Sequence, residues 1–335
     1  MTASFRLGTR GSPLALAQAR LTAAALTAAH DIAVEIVPIV TTGDRIQDRP
    51  LTDIGGKALW TKELDAALLE GRIDAAVHSM KDVETRLADG IVIPAILPRA
   101  DVRDRLLGAA SIDALRHGAR VGTSSPRRAA QLLHLRPDLM IVPLRGNVAT
   151  RMAKLAAGEA DATLLAAAGL ERLGLSDGVA IPLATLLPAP AQGAIGLTAR
   201  AGDSATLALL AAIDHPPTSV AIGLERAFLA ALAADCHSSV AALVSFVETA
   251  GETGRNTSGI EFRAEILLPD GSERRAVRVR LDAKTGPALA ATGQQHHLAA
   301  VAQAAASLLA AASPRLAALF GAGAHVATAS GYGAG

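Results

Sequence analysis

The sequence predicts an α/β protein with a smaller α+β unit towards its C-terminal end. Three observations carry that expectation. Strand-like and helix-like runs alternate through the first 190 residues, the pattern of helices layered on a sheet. One stretch, Leu69-Glu70-Gly71-Arg72-Ile73-Asp74-Ala75-Ala76-Val77, is echoed by Ala156-Ala157-Gly158-Glu159-Ala160-Asp161-Ala162-Thr163-Leu164. Both read as helix end, glycine cap, two residues, Asp and strand, which is expected of two similarly built units and also of any helix–strand junction. After residue 215 the pattern changes to a helix, a hairpin and a second helix.

Phe5–Thr9 reads as a strand, and Ser12-Pro13 as an N-cap with proline at the first helical position, opening an Ala/Leu helix to about Ala29. Val34–Val40 is a β-branched strand. Lys62–Glu70 is helical and stops at Gly71, and Ile73–Val77 is the next strand. His215-Pro216-Pro217 reads as a linker before a helix over Ser219–Ala234. Glu261–Leu268 and Glu273–Leu281 are strands around the turn Pro269-Asp270-Gly271, and residues 298–312 form an Ala/Leu helix. The tail from Gly321 is rich in Gly, Ala and Ser and is expected to be mobile.

Composition excludes several classes of function. Half of the 335 residues are hydrophobic and 19% are charged, a globular balance. Seven aromatic residues are too few for a stacking platform along single-stranded nucleic acid. A formal net charge of +1 is not that of a general polyanion binder, and no helix-turn-helix or basic tail points to duplex DNA. One cysteine rules out an internal disulfide framework, and the nine histidines show no metal-ligand spacing. Residues 178–199 carry no charge but are broken by Pro182, Pro188 and Pro190, and residues 298–313 are too short to span a bilayer. Met1–Arg10 has no apolar core of the kind a secretory signal needs, so a cytoplasmic protein with no membrane partner is expected.

Arginine recurs at expected helix starts. The three places are Arg10-Gly11-Ser12-Pro13, Thr123-Ser124-Ser125-Pro126-Arg127-Arg128 and Arg145-Gly146-Asn147 with Arg151 one turn on. A helix N-terminus offers free N–H groups and the positive end of a dipole, and a guanidinium grips a carboxylate or phosphate at two points. Residues 101–172 hold eleven Arg/Lys against seven Asp/Glu. These features suit a ligand bearing several carboxylates or phosphates; capped helices with solvated arginines are the plainer reading. His78-Ser79-Met80-Lys81-Asp82 follows a strand, where α/β proteins place chemistry, and Asp82 there suits stabilisation of a cation or movement of a proton. A solvated Lys81–Asp82 pair on a loop is the alternative. Gly55-Gly56-Lys57 with Trp60 reads as a lid or a plain turn, and Cys236 as an exposed thiol or a small buried residue.

Taken together the motifs resemble the porphobilinogen deaminase (hydroxymethylbilane synthase) family. The carrying segments are Leu7-Gly8-Thr9-Arg10-Gly11-Ser12-Pro13-Leu14-Ala15, Gly55-Gly56-Lys57-Ala58-Leu59-Trp60, Ala76-Val77-His78-Ser79-Met80-Lys81-Asp82, Gly122-Thr123-Ser124-Ser125-Pro126-Arg127-Arg128, Leu144-Arg145-Gly146-Asn147-Val148-Ala149-Thr150-Arg151, Ala168-Gly169-Leu170-Glu171-Arg172-Leu173-Gly174 and Pro190-Ala191-Gln192-Gly193-Ala194. They stand in the family's order over roughly residues 5–240.

The resemblance implies a transferase that joins four porphobilinogen molecules head to tail with release of ammonia, in tetrapyrrole biosynthesis. It implies a dipyrromethane cofactor held by a thioether to one cysteine, here Cys236, and Asp82 as the catalytic carboxylate. Lys81, Ser125, Arg127, Arg128, Arg145 and Gly146 match cofactor contacts; Arg10, Ser12, Arg151, Arg172 and Gln192 match substrate contacts; Gly55, Gly56, Lys57 and Trp60 match an active-site loop. The chain departs from the family at Ala234-Asp235, where glycine usually precedes the anchor cysteine, and at Val83-Glu84, where proline usually follows the catalytic aspartate. An extra carboxylate at Asp235 is expected to raise the neighbouring thiol.

The fold so implied has two doubly wound lobes like those of solute-binding proteins, with a cleft between them and a smaller α+β domain. Residues 1–98 and 190–213 form the first lobe, 99–189 the arginine-rich second, 216–320 the cofactor-anchoring domain, and 321–335 a mobile tail. The protein is expected to be a monomer. A catalytically impaired family member, or a two-lobed polyanion-binding protein, is the competing reading; incubation with porphobilinogen separates them, because only an enzyme releases ammonia.

Overall fold

The structure, a computed structural model, describes residues 4–41, 61–235, 237–250, 256–282 and 291–320. The chain begins β1 (Phe5–Arg10), α1 (Pro13–His30), β2 (Val34–Ile39), α2 (Lys62–Leu69), β3 (Ala75–Ser79), a single 3-10 turn (Met80–Asp82) and β4 (Ile91–Ile96). It continues β5 (Asp104–Leu107), β6 (Arg120–Gly122), α3 (Pro126–Leu135), β7 (Met140–Val142), α4 (Val148–Ala156), β8 (Ala162–Ala166), α5 (Ala167–Arg172) and β9 (Val179–Ala180). Then follow β10 (Ile195–Arg200), α6 (Ser204–Ala211), α7 (Pro216–Ala231), β11 (Val240–Ala250), β12 (Asn256–Leu267), β13 (Arg274–Asp282), α8 (Ala291–Ala310) and α9 (Pro314–Ala317).

Two five-stranded sheets share one plan. The first runs β2-β1-β3-β10-β4 and the second β7-β6-β8-β5-β9. In each, the first three strands are parallel, and the fourth lies antiparallel to both neighbours. That fourth strand follows a crossing from the other sheet: β5 enters after residues 97–103, and β10 returns after residues 181–194. The echo between residues 69–77 and 156–164 has the same physical content in both lobes. Gly71 and Gly158 take φ of 69° and 76°, where glycine has no Cβ penalty. Asp74 then accepts from the Arg6 N–H at 2.7 Å, and Asp161 from the Arg120 N–H at 2.6 Å.

Each sheet is covered on both faces, as parallel sheets require. Leu7, Val77 and Leu197 pack with Ala19 and Leu26 of α1, while Ile73 and Ala76 pack with Leu64 and Leu68 of α2. In the second sheet Val121 and Leu164 meet Leu132 of α3, and Leu107 and Leu165 face Met152 and Leu155 of α4. The antiparallel sheet β11-β12-β13 is covered by α7 and α8, with Phe228 edge-on to Phe262 at 5.2 Å between ring centres.

The expected linker at His215-Pro216-Pro217 is instead the start of α7. Proline at the first helical position needs no N–H partner, so the Pro pair opens the helix rather than separating two units. The helix accordingly ends at Ala231, three residues short of the expected end. Strand β11 was not expected from the sequence, and the tail from Gly321 lies outside the described residues.

Glu225 of α7 ties the third sheet to both crossings. It is fully buried and receives Arg99 Nη1 at 2.7 Å, Arg99 Nη2 at 3.0 Å, the Ala191 N–H at 2.6 Å and the Val244 N–H at 2.8 Å. Glu225→Ala leaves a buried guanidinium and two N–H groups without their acceptor. It is expected to lower the unfolding free energy by about 3–5 kcal/mol, and Glu225→Gln by less, in urea titrations at neutral pH.

Candidate active site

The three arginine-bearing helix starts all form. Ser12 caps α1 by accepting from the Ala15 N–H at 3.3 Å, Ser125 caps α3 by accepting from the Arg128 N–H at 3.4 Å, and Asn147 caps α4 by accepting from the Thr150 N–H at 2.9 Å. Gly146 precedes the last cap with φ 115°, and a Cβ there would stand 2.6 Å from Thr150 Cγ2, so only glycine fits.

One pocket is lined by Arg10, Ser12, Gln18, Thr61, His78, Ser79 and Asp82, among others. Asp82 ends the 3-10 turn that leaves β3. The Met80 N–H of that turn donates to Ala194 O at 3.1 Å. Met80 also lies over Gly196, where a Cβ would meet its sulfur at 2.1 Å. Gln18 Nε2 donates to Ser79 Oγ at 2.8 Å, and His78 Nε2 bonds Thr198 Oγ1 at 2.9 Å. Burial, followed by the charges of Arg10 and Arg226, pushes His78 down to about 4, so it is neutral near pH 7.

Positive charge gathers around Asp82. Burial pulls the Lys81 ammonium below its usual value against the attraction of Asp82, and Arg127, Arg128 and Asp104 also act on it. Loss of water pushes Arg151 down to about 10; Arg128 and Arg145 push the same way and Asp82 opposes them. Arg151 remains charged at neutral pH, with its Nε held by Gly146 O at 2.9 Å. Within this cluster, among the described residues, the charges acting on Lys81 and Arg151 are those of Arg127, Arg128 and Arg145 on one side and of Asp82 and Asp104 on the other.

Asp104, the first residue of β5, divides that cluster. It is 1% exposed and takes Arg127 Nη2 and Arg128 Nη2 at 2.7 Å each. Arg127 Nη1 further donates to Leu187 O and Arg128 Nη1 to Leu164 O. Gln192 Nε2 donates to Asp104 Oδ1 at 2.9 Å and to Val102 O at 2.8 Å, so Gln192 secures the crossing as well. The Nε atoms of Arg127 and Arg128 are buried with no hydrogen-bond partner. Arg172, also pushed down to about 10 by burial, donates to Gly193 O at 2.7 Å.

Arg10, Ser12 and Asp82 therefore share a pocket wall, and Lys81, Arg127, Arg128, Arg145 and Arg151 share an electrostatic neighbourhood. Ser125 and Gly146 shape helix starts, Arg172 reaches the return crossing at Gly193, and Gln192, itself in that crossing, reaches the outgoing one at Val102. Gly55, Gly56, Lys57, Trp60 and Cys236 lie outside the described residues. Asp104, Glu225 and Arg226 were not singled out from the sequence. Asp104 is hidden in Asp101-Val102-Arg103-Asp104-Arg105, which reads as an exposed charged loop. Glu225 and Arg226 did leave a signal: they are the only Asp, Glu, Lys or Arg between Asp214 and Asp235. Among the described residues no group of three His, Cys, Asp or Glu side chains can hold a metal ion.

Burial alone would raise the Asp104 carboxyl, but Arg127 and Arg128 outweigh it and hold the group well below the usual carboxylate range. Its contribution is therefore complete above about pH 4 and is lost as pH falls through the folded-state value. Asp104→Asn is expected to cost about 3–5 kcal/mol at pH 7, with the gap to wild type shrinking below about pH 4 in urea titrations. His78, neutral in the fold, adds an acid loss that starts below about pH 6.5 and is common to both proteins, so the difference isolates Asp104.

Residues 5–208 match the family model described as porphobilinogen deaminase, dipyromethane cofactor binding domain. A porphobilinogen deaminase of Sphingopyxis alaskensis is 58% identical over 284 residues, covering 82% of this chain and 88% of that protein. One from Nitrobacter winogradskyi is 51% identical over 274 residues, covering 80% and 84%. Among solved structures, a periplasmic substrate-binding protein of an ABC transporter from Coxiella burnetii aligns with 64% of this chain and 94% of its own, at 18% identity and a TM-score of 0.38. With the family model matched over the whole of both five-stranded sheets, and relatives this similar over most of their length, the chain belongs to the porphobilinogen deaminase family.

Proposed function

We propose that the protein is a hydroxymethylbilane synthase: it joins four porphobilinogen molecules head to tail, releasing ammonia at each condensation. The observation that carries the reading is Asp82 standing at the exit of β3 among cations that outnumber the carboxylates. Each porphobilinogen brings two carboxylates, so a growing chain is a polyanion, and a cleft that binds it needs a surplus of fixed positive charge.

The donor set also suits a dipyrromethane cofactor. Its acid side chains match a set made of guanidinium groups, an ammonium and helix N-termini, and the buried Nε atoms of Arg127 and Arg128 lack acceptors. When bound, the dipyrromethane supplies the primer on which the chain is extended. Cys236, the only cysteine, holds it through a thioether, with Lys81, Ser125, Arg127, Arg128, Arg145 and Gly146 around its carboxylates. Arg10, Ser12, Arg151, Arg172 and Gln192 orient the incoming substrate. Asp82 then acts as a fixed anion: as ammonia departs, positive charge develops on the substrate's pyrrole, and a carboxylate already in place needs no reorganisation to meet it. The same carboxylate accepts pyrrole N–H groups, which aligns the reacting carbons.

We assign the lobes to residues 1–98 with 190–213 and to 99–189, the cofactor-bearing unit to 216–320, and a cytoplasmic, monomeric state to the whole. Intact mass under denaturing conditions tests the reading. Wild type is expected to exceed the bare chain by two linked pyrrole units, and Cys236→Ser not to. A wild-type chain that stays bare after incubation with porphobilinogen, and releases no ammonia, refutes it. Asp82→Asn is expected to keep the mass excess while kcat for ammonia release falls about 10²–10³-fold.

A further inference from the structure

Two charged residues stand side by side in the otherwise apolar helix α7. Glu225 holds the two crossings. Arg226 addresses something else. It is 6% exposed, and its guanidinium donates to three successive carbonyls: Nη1 to Val83 O at 3.0 Å, and Nη2 to Glu84 O at 2.6 Å and Thr85 O at 3.2 Å. Those three residues follow directly on Asp82.

The stretch is held to α7 by packing as well: buried Val83 lies in an apolar cluster with Met80, Ile96, Ala194 and Ile222 of that helix. Beyond the 3-10 turn, the Val83 N–H reaches Met80 O at 3.3 Å, and among the described residues no backbone N–H reaches the carbonyls of residues 83–85. On its other side the turn is anchored to the return strand through Met80, which bonds Ala194 O and lies over Gly196. Asp82 thus sits between two anchors: one belongs to its own sheet, the other to a helix of the third unit. A planar fork of five donors can span consecutive carbonyls in one fixed geometry, whereas a single ammonium cannot.

We propose that Arg226 is a positioning residue for the reaction: by gripping the carbonyls of Val83, Glu84 and Thr85 from α7, it fixes where the Asp82 carboxylate stands in the pocket. The kinetic part rests on the function proposed above; the structural part does not. A reacting group displaced by about 1 Å loses on the order of 10²-fold in rate, and this sets the expected scale.

Arg226→Gln and Arg226→Lys, prepared as the full chain and reloaded with porphobilinogen, provide the test. Intact mass reports the loading, and kcat and KM for ammonia release are measured per loaded chain. Arg86, exposed in the segment that Arg226 holds, gives a second readout: the initial rate of tryptic cleavage after it, with exposed Arg116 of the second lobe as the control. Arg226→Gln is expected to lower kcat about tenfold to a hundredfold with KM within about twofold. Cleavage after Arg86 is expected to rise about tenfold while cleavage after Arg116 holds steady, and Arg226→Lys to fall between wild type and Gln on both measures. Unchanged kcat or unchanged cleavage after Arg86 overturns the assignment. So does faster cleavage at both sites together, which is general loosening, or a Gln variant that takes up no primer, which puts the role in loading. If wild type itself releases no ammonia, the function reading fails alone, and the cleavage rates still decide whether Arg226 holds this turn.

Discussion

A cleft built to bind carboxylates must hold like charges together, and here one buried carboxylate makes that arrangement stable. Arg127 and Arg128 occupy the first turn of α3, where the helix dipole is positive and arginine is unfavourable. Both are almost fully buried, so neither is relieved by water. Asp104 meets one guanidinium with each oxygen and also receives Gln192 Nε2, while the carbonyls of Leu187 and Leu164 take one further donor each from Arg127 and Arg128. Breaking such a buried group costs several kcal/mol because an uncompensated charge remains. Two guanidiniums against one carboxylate still leave a unit of positive charge, which adds to that of Lys81, Arg145 and Arg151 in the surroundings of Asp82.

The same local physics is used twice. In both lobes an aspartate just before the middle strand of the sheet (β3, β8) accepts the N–H of an arginine at the start of the strand beside it (Arg6 of β1, Arg120 of β6), and its own N–H returns to that arginine's carbonyl at 2.8 Å. In both, a glycine on that neighbouring strand lets the residue before the aspartate approach closely; an added Cβ would meet Ile73 Cδ1 at 2.3 Å at Gly8 and the Ala160 Cβ at 3.2 Å at Gly122. In both, a Ser-Pro pair follows and caps a helix. Two helix N-termini, each with free N–H groups, are therefore delivered at the same ends of two similar sheets.

How much of this could be read from the sequence depended on the range of each interaction. Ser12, Ser125 and Asn147 cap helices three residues away, so their roles are written locally, and all three helix starts were expected where they stand. The Gly71 and Gly158 junctions are equally local. Asp104 bonds residues 23 and 24 positions away, and nothing in its charged surroundings tells a buried carboxylate from a solvated one. The Pro216-Pro217 pair was ambiguous in kind: proline both breaks chains and opens helices, and the packing of α7 on β11 and α8 chose the second. The return of β10 to the first sheet rests on pairings more than a hundred residues apart that no periodicity records; the expectation that residues 190–213 rejoin the first lobe came from the family resemblance alone.

The adjacent charges of α7 are best understood through helix geometry. At 3.6 residues per turn, neighbours in sequence point about 100° apart, so Glu225 and Arg226 necessarily address different partners. One faces the crossings, where Ala191 is held in the left-handed region at φ 62° with its N–H on Glu225. The other faces the backbone that follows Asp82. An apolar helix needs neither charge for its own packing, which Leu224 and Phe228 supply. Each charge is instead satisfied by groups outside the third sheet, apart from the bond from Val244. A shift of α7 along its axis would thus disturb the crossings and the Asp82 turn together, because a single rigid helix sets the distance of both from the third unit.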